Sequence, residues 1–235
     1  MSKLVWDAVG NRLYETGVKN GVLYVQNSDG TYADGVAWNG LTAVTESPSG
    51  AEPTKLWADD INYLTMYSAE EFGLTIEAYT FPEEFYDCDG TADVLGTGGM
   101  YLGQQTRKGF GFCYRTAVGN DTDSDDHGYK IHIAYGCKAS PSEKAYSTIN
   151  DSPEAITFSW EVTTTPVSVT LGTTVYKPTS LITIDSTAFT TTQQKANLAA
   201  LEDLLYGTNA VGSGSGTNPQ LPTPATIYAT LSAIS

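Results

Sequence analysis

Positive charge is scarce in this sequence. Its 235 residues include 12 Lys and Arg against 27 Asp and Glu, which gives a net charge of −15 at pH 7. Double-stranded DNA carries about one negative charge per 1.7 Å of its axis, so a protein that binds it tightly needs clustered basic side chains. Arg107 and Lys108 are the only adjacent basic pair. The composition therefore argues against direct, tight binding of nucleic acid.

Histidine is rarer still. The two histidines are His127, in an acidic stretch, and His132, which alternates with isoleucines in the segment KIHIAY. This alternation predicts that His132 faces solvent or an interface and does not serve as a catalytic base. The sequence also lacks the GxSxG, HExxH, P-loop and dinucleotide-binding motifs. We therefore predict no enzyme and no cofactor, although the acid pairs Glu70–Glu71 and Glu83–Glu84 leave glycoside hydrolysis as a minor alternative.

Cysteines and long apolar runs are also few. Cys88, Cys113 and Cys137 are odd in number and widely spaced, which predicts buried, reduced thiols and no disulfide framework. No stretch approaches the roughly 18–20 apolar residues of a membrane span, and the N-terminal residues contain no apolar run suited to a signal peptide. We expect a protein that is made in the cytoplasm, is not secreted by the general pathway and does not enter a membrane.

Strand-like alternation is abundant. In residues 154–163, EAITFSWEVT, the large apolar side chains Ile156, Phe158, Trp160 and Val162 alternate with polar ones. A two-residue period places these four on one face of a strand that packs on a core. Further short strand-like segments recur between clusters of Gly, Pro, Asp and Ser. This organisation predicts a mainly β fold, either an antiparallel β-sandwich or a barrel.

One flanking α-helix is predicted over about residues 193–206. Thr191 or Thr192 can cap its start, and Gly207 suits the left-handed position after its end. An apolar stripe at three- and four-residue steps is formed by Leu198, Leu201, Leu204 and Leu205. The helix is expected to cover one face of a sheet.

The chain changes character after this helix. Residues 207–220, GTNAVGSGSGTNPQ, are rich in Gly and Ser and predict a flexible loop. Residues 221–231, LPTPATIYATL, regain apolar side chains and are expected to dock on their own subunit or on a neighbour. We therefore predict one β domain, residues 1–208, followed by a Gly/Ser-rich loop and C-terminal tail, residues 209–235.

The acidic run NDTDSDD is the best candidate for a metal site. Asp121, Asp123 and Asp125 have the alternate spacing that opens a calcium-binding loop. The pattern then fails, because Asp126 stands where the turn glycine belongs and His132 where a bidentate glutamate belongs. A solvated hairpin tip is the favoured interpretation, and a weak cation site is the alternative.

Aromatic residues suggest surfaces for recognition. Four Trp and 15 Tyr are spread through the chain, and both types are enriched at protein interfaces. Trp160 belongs to a buried face by its alternation, whereas Trp38 and Trp57 flank the turn region ESPSGAEP and are the better interface candidates. Because β domains rich in aromatics also bind glycans, an extracellular carbohydrate-binding module is an alternative function.

Several strings of this sequence together carry a resemblance to one known family. Between about residues 12 and 206 they follow in the order GVLYVQ (21–26), GVAWNGLTAVTESPSGAEPT (35–54), SAEEF (68–72), IEAYTFPEEF (76–85), GQQTRKGFGFCYRT (103–116), HGYKIHIAYGCKASPSEKAYSTINDSPEAITFSWEV (127–162), TIDST (183–187) and LAALEDLLYG (198–207). The series resembles the major tail protein, or tail tube protein, of long-tailed, non-contractile bacteriophages. That family forms the tube through which phage DNA leaves the capsid.

The resemblance implies a β-sandwich or barrel of the tail-tube type, six subunits per ring, and rings stacked into a tube in the virion. It implies assembly in the host cytoplasm with a tail terminator, with tail-tip or initiator proteins, and with a tape measure protein inside the tube. Double-stranded DNA would pass through transiently without specific binding. Secretion-system tube proteins share the fold and are an alternative.

The resemblance also implies where subunits meet. A long loop at about residues 39–58 is expected to bridge to adjacent subunits or rings, with an N-terminal arm at residues 1–20 as the second candidate. The interface candidates that follow are Trp38, Leu41, Val44, Pro48, Pro53, Leu56, Trp57 and Trp6.

Overall fold

The computed structural model describes residues 3–149, 151, 154–210 and 215–233, which are mainly antiparallel β. The strands are β1 (Tyr14–Val25), β2 (Val36–Trp38), β3 (Leu41–Glu46), β4 (Ser49–Gly50), β5 (Pro53–Ala58), β6 (Ile61–Tyr67), β7 (Glu70–Glu71), β8 (Gly73–Ala78), β9 (Ala92–Asp93), β10 (Tyr101–Leu102), β11 (Phe110–Asn120), β12 (Ser124–Ala139), β13 (Phe158–Thr164), β14 (Val167–Leu171), β15 (Thr174–Thr179) and β16 (Leu181–Asp185). The helices are α1 (Phe85–Cys88), α2 (Thr192–Tyr206) and α3 (Pro224–Leu231), with a 3₁₀ turn at Ser186–Ala188. The predicted fold class is confirmed.

One large sheet organises the chain. Its strands lie in the order β2-β1-β11-β12-β13-β8-β3, with β16 as a further partner of β12. Two strands share one edge of β12, since β16 pairs with Lys130–Ala134 and β13 with Cys137–Ala139. Between them lies Gly136, whose φ of 59° is in the left-handed region. A Cβ there would clash with the carbonyl oxygen of Thr165, so glycine allows β12 to change partners at this point.

The sheet curls around a first apolar cluster. Its edge strands β2 and β3 are separated by only two residues, so the two ends of the sheet come together. Trp38 of β2 packs there against Trp160 of β13, with ring centroids 5.6 Å apart. The buried cluster includes Leu23, Trp38, Leu74, Ile76, Ala78, Phe85, Phe110, Phe112, Tyr114, Trp160 and Val162. Trp160 and Val162 thus confirm the buried face predicted for this strand, which begins at Phe158.

A second apolar cluster lies on the opposite face of the sheet, beneath α2 and α3. Adjacent residues of β1 serve the two clusters alternately, because Val22 and Tyr24 belong to the second and Leu23 to the first. The remaining buried members of the second cluster are Cys113, Ile131, Ile133, Tyr135, Ile184, Leu198, Leu201, Leu205, Leu221 and Ile227. The centre of the sheet is therefore covered on both faces.

Helix α2 confirms the helix that the leucine spacing predicts. Thr191 caps it: its Oγ1 accepts from the backbone N–H of Gln194, and the Gln194 side chain accepts from the N–H of Thr191 at 3.0 Å. This reciprocal arrangement satisfies backbone donors that the first turn leaves unpaired. Gly207 ends the helix with a φ of 74°, as its position predicts.

Helix α3 is an addition to the predicted fold. Thr223 caps it and Pro224 occupies its first turn, where a missing backbone N–H costs nothing. The tail docks on its own chain, because Ile227 is buried in the second cluster and Asn197 of α2 donates to the carbonyl oxygens of Leu231 and Ala233. Residues 211–214 of the predicted Gly/Ser-rich loop lie outside the described residues.

The cysteines match their predicted state. Cys88, Cys113 and Cys137 are free and buried, and burial raises the pKa of the Cys88 and Cys113 thiols to about 12. In the described ranges, no helix combines the length and apolar character needed to cross a membrane.

Candidate assembly surface

Residues 48–71 project from the large sheet as a two-stranded ribbon. The β3–β8 pairing continues through reciprocal backbone hydrogen bonds between Ser47 and Gly73 into the β4–β7 and β5–β6 pairs. At the tip, Asp59 and Asp60 have φ values of 52° and 61°. Two successive left-handed residues form the tight hairpin turn that suits strand twist, and Asp tolerates that conformation. The ribbon is thus one continuous hairpin whose base belongs to the sheet.

The ribbon exposes a dense set of large apolar side chains. Their exposed fractions run from 42% for Leu56 to 71% for Tyr63, and the set is Leu56, Trp57, Ile61, Tyr63, Leu64, Met66 and Tyr67. Alternation puts Ile61 and Tyr63 on one face of β6 and Leu64 on the other. A lone two-stranded hairpin is at best marginally stable in water, and contiguous exposed apolar surface marks an interaction site. The ribbon therefore has two faces suited to burial against another surface.

The structure corrects the boundaries of the predicted bridging loop at residues 39–58. Leu41 and Val44 lie in β3, half-buried against the first apolar cluster. Trp38 is a core residue, 2% exposed, whose indole Nε1 donates to the carbonyl oxygen of Thr80 at 2.9 Å. The curl of the sheet turns Trp38 inward, so it is not available to a neighbouring subunit.

The other interface candidates of residues 39–58 lie on the ribbon. Pro48, Pro53, Leu56 and Trp57 are exposed, and the projection extends through β6 to residue 71. The β6 residues were not among the predicted candidates. The sequence feature that could have identified them is the string INYLTMY (61–67), in which both alternating sets contain large apolar residues. In the structure this strand is nevertheless largely exposed.

The N-terminal segment, residues 3–13, is a second exposed apolar stretch. Its side chains are 61–81% exposed at Leu4, Val5, Trp6, Val9 and Leu13. It lies against the β11–β12 turn, where the Gly10 N–H donates to Asp121 Oδ1 at 2.9 Å and Asn120 donates to the Gly10 carbonyl. The predicted arm at residues 1–20 is therefore shorter, because β1 begins at Tyr14 and pairs with β11. Trp6, one of the interface candidates, is 73% exposed.

The three aspartates of the acidic run face separate partners. Asp121 contacts Gly10 and Arg12, Asp123 contacts the His127 ring, and Asp125 accepts from the Tyr14 hydroxyl at 2.8 Å. Among the described residues, no group of three or more His, Cys, Asp or Glu side chains is arranged to hold a metal ion. The run covers the turn between β11 and β12 and the first residues of β12, as the hairpin-tip interpretation predicts.

His132 is the other residue whose surroundings differ from the prediction. It is 8% exposed and stacks on Tyr114, with ring centroids 4.6 Å apart and planes at 4°. The curled sheet covers the face of β12 on which His132 lies. The alternation with Ile131 and Ile133 correctly places His132 on the opposite face from them, but both faces of β12 are buried here. Burial lowers the pKa of His132, against the opposing effect of Glu46 and Glu15.

Two edges of the large sheet are open within the described chain. β2 covers only Gly21–Leu23 on the outer edge of β1, which leaves the N-terminal half of β1 without a strand partner there. β16 pairs with β12 on one side only. Open edges present unpaired backbone donors and acceptors that another chain can pair with.

Comparisons with known proteins do not assign this chain to a family. No family model matches the chain, and no curated protein matches it. A chain in the cryo-EM structure of the anti-feeding prophage baseplate, determined with six-fold symmetrisation, is similar with a TM-score of 0.35 and 7% identity. The match covers 77% of this chain and 97% of that chain.

Proposed function

We propose that this chain is the tube-forming structural subunit of a phage tail. Six copies would form a ring, and stacked rings would form a passive conduit for the genome. The ribbon is the observation that carries the proposal. It projects beyond the sheet that supports it and exposes Trp57, Tyr63 and Tyr67 at 67%, 71% and 70%, aromatic types that are enriched where proteins meet. A neighbouring subunit or ring would cover these side chains.

The open sheet edges support closure of the ring. The exposed half of β1 and the free edge of β16 lie on different edges of one sheet. Pairing such edges between copies satisfies backbone groups of both. Contacts of this head-to-tail kind use two different surfaces and close into a ring when the rotation between neighbours permits it. The ribbon and the N-terminal segment would then serve contacts between rings.

Net charge supports a conduit without specific DNA binding. With −15 per subunit, a hexameric ring would carry a charge of about −90, a field that repels phosphates. The same charge opposes stacking, so apolar burial must outweigh it. Burial of about 1,000 Å² of apolar surface contributes roughly 25 kcal/mol before the cost of ordering. The exposed apolar side chains of the ribbon and of the N-terminal segment are the surface available for this.

The proposed function also implies a location and a set of partner proteins. The virion is the expected location, and the tail terminator, the tail-tip or initiator proteins and the tape measure protein are the expected partners besides the subunit itself. No catalytic step is part of this function. The tube would conduct DNA passively and would not itself drive the movement of the DNA.

Electron microscopy of ribbon variants tests the proposal. Purified protein at increasing concentration is imaged by negative stain, with the double variant Trp57→Ser/Tyr63→Ser beside the wild type. We expect rings with a central hole, or tubes, from the wild type and their loss in the variant, because two large apolar contacts are removed from the ribbon. The fold should persist, since neither side chain contributes to an apolar cluster.

A matched control distinguishes the ribbon from exposed aromatics in general. Tyr79 and Tyr146 are 54% and 75% exposed and lie off the ribbon, and their replacement by Ser should leave assembly intact. Equal loss in both double variants would remove the special role of the ribbon. A wild type that stays monomeric at high concentration and binds glycans in a screen would favour the carbohydrate-binding alternative.

A further inference from the structure

The connections of the large sheet lie at two opposite ends of its strands. β3, β8, β13, β12 and β11 are antiparallel neighbours in that order, so adjacent strands run in opposite directions. The ribbon, which joins β3 to β8, therefore lies at one end, together with the turn between β11 and β12. Residues 79–109, which join β8 to β11, begin and finish at the other end. The ribbon and residues 79–109 thus belong to opposite ends of one sheet.

A small hairpin at this second end is held by one carboxylate. β9 and β10 pair within residues 92–102, which we call the β9–β10 hairpin. Asp93 Oδ1 accepts from the backbone N–H of Leu95 at 3.0 Å, and Asp93 Oδ2 accepts from the N–H of Gly98 at 2.8 Å. Because these bonds satisfy backbone donors of the loop, the loop is held in a defined conformation.

The β9–β10 hairpin combines an anchored base with exposed apolar side chains. Tyr101 stacks on Tyr86 with ring centroids 4.2 Å apart, and Tyr86 packs edge-on against Phe81, which lies against the first apolar cluster. The large apolar side chains of the hairpin are 36–61% exposed, and they are Val94, Leu95, Met100, Tyr101 and Leu102. Contiguous exposed apolar surface of this kind marks an interaction site.

The hairpin carries no free charge that would repel an acidic partner. Residues 94–106 contain no Asp, Glu, Lys or Arg, and the carboxylate of Asp93 is bound to the backbone of the loop. Asp87, in α1, is paired with Lys108 at 2.7 Å. The ribbon, residues 48–71, has five acids against one base. Docking of this acidic ribbon on an uncharged apolar surface avoids most of the repulsion that a chain of net charge −15 imposes.

We propose that the β9–β10 hairpin of one copy is the docking surface for the ribbon of a second copy. The inference rests on the proposed function, in which copies stack. Surfaces at opposite ends of the same chain meet when copies stack in one direction, and such a head-to-tail contact repeats from copy to copy. The ribbon exposes seven large apolar side chains and the hairpin five. Burial of about half of their area removes on the order of 1,000 Å² from water, which is enough for a specific interface.

Disulfide trapping between copies tests the contact. Ala58→Cys, at the tip of the ribbon, is mixed with Thr97→Cys, in the loop of the β9–β10 hairpin, and both positions are exposed. The three native thiols are buried, and burial raises the pKa of each, so they stay unreactive. We expect the mixed dimer to exceed by about tenfold or more the dimer of Ala58→Cys with Thr173→Cys, because docking gives facing thiols an effective concentration in the millimolar range.

Thr173 is a matched control for Thr97. It is exposed, lies on the turn between β14 and β15, and gives the same change of Thr to Cys. The β14–β15 pair borders an apolar groove of about 580 Å³ beside β16 and α3, which is the competing site for an apolar ribbon. Preferential trapping of Ala58→Cys with Thr173→Cys would place the ribbon at that groove, and preferential homodimers of Ala58→Cys would indicate a symmetric contact between ribbons. Either result would overturn the proposal, as would equal trapping at both threonine positions.

A second measurement distinguishes this contact from tube formation as such. Leu95→Ser/Leu102→Ser removes two apolar side chains of the hairpin that belong to neither buried cluster, and it should lower the assembled fraction in sedimentation as strongly as Trp57→Ser/Tyr63→Ser. Val175→Ser/Tyr176→Ser, on β15, is the control and should assemble like the wild type. Normal tubes from the Leu95→Ser/Leu102→Ser protein would overturn the docking surface and leave the tube proposal standing. Trapping of Ala58→Cys with Thr97→Cys in the absence of tubes would support the docking surface and count against the tube.

Discussion

At the scale of single residues, Trp160 is the centre of the first apolar cluster. Its ring centroid lies 5.1–5.8 Å from those of Trp38, Phe81, Phe85 and Phe158. Its indole Nε1 has no hydrogen-bond partner within the described chain. The residue therefore acts through apolar area and ring geometry, and its polar atom adds a desolvation cost.

Replacement of Trp160 tests this view. Trp160→Ala should lower the free energy of unfolding by about 3–5 kcal/mol, because it leaves a large cavity. Trp160→Phe should cost less than about 1.5 kcal/mol, since it keeps an aromatic ring and removes the unpaired N–H. Urea denaturation measures both, and exposed Trp57→Ala should stay within about 0.5 kcal/mol. Equal losses from the Ala and Phe variants would contradict the packing argument.

Asp89 is the second informative residue, since it is buried among cations. Its Oδ2 accepts from Lys144 Nζ at 2.5 Å, and its Oδ1 lies 3.6 Å from Arg107. Asp89→Asn should destabilise the fold by about 1.5–3 kcal/mol, the range for hydrogen bonds to charged groups. Asp87→Asn is the matched control: its pair with Lys108 is about half exposed, and such pairs contribute about 0–1 kcal/mol. Thermal unfolding of both variants gives the comparison, and a larger loss at Asp87 would contradict it.

At the scale of elements, the ribbon is separable from the fold. Its strands are exposed almost throughout, and its large apolar residues belong to neither buried cluster. Stability therefore rests on the curled sheet and its helices, which leaves the ribbon free for the proposed contacts with other copies.

Deletion of residues 53–67 tests this separation. The remaining β4–β7 base would be closed by a four-residue loop, a common hairpin length. We expect the melting temperature to stay within about 3 °C of the wild type, because little buried surface is lost. Near-ultraviolet circular dichroism should retain the signal of the Trp38–Trp160 pair. Normal tubes from the deleted protein would contradict the assembly role of the ribbon.

At the scale of the whole molecule, charge and apolar surface oppose one another. The chain has a net charge of −15, so the proposed contacts between copies would form against repulsion. Salt shortens the Debye length from about 10 Å at 0.1 M to about 3 Å at 1 M, so it screens the repulsion between exposed charges.

Assembly should therefore increase with salt. Between about 0.1 M and 1 M NaCl, the assembled fraction in sedimentation should rise for the wild type, because screening weakens the repulsion between rings. The double variant Trp57→Ser/Tyr63→Ser should stay largely unassembled throughout. A fall in the assembled fraction with salt would instead indicate that ion pairs between subunits dominate.

Local patterns in the sequence determined many of the elements. The strand around Trp160, the helix over about residues 193–206 with Thr191 and Gly207 at its ends, and the buried thiols all follow from periodicity and from single-residue preferences. These signals act between residues close in sequence, so they can be read without the fold.

Only the tertiary structure decided which faces are covered. Trp38 and Trp57 flank the same turn region, yet the first is 2% exposed and the second 67%. His132 alternates like a surface residue and is buried, and α3 docks where apolar residues of α2 receive it. Alternation indicates that the two faces of a strand differ. Which of those faces is buried depends on strands far apart in sequence that the curl of the sheet brings together. The branching of β12 and the projection of the ribbon are consequences of that long-range pairing.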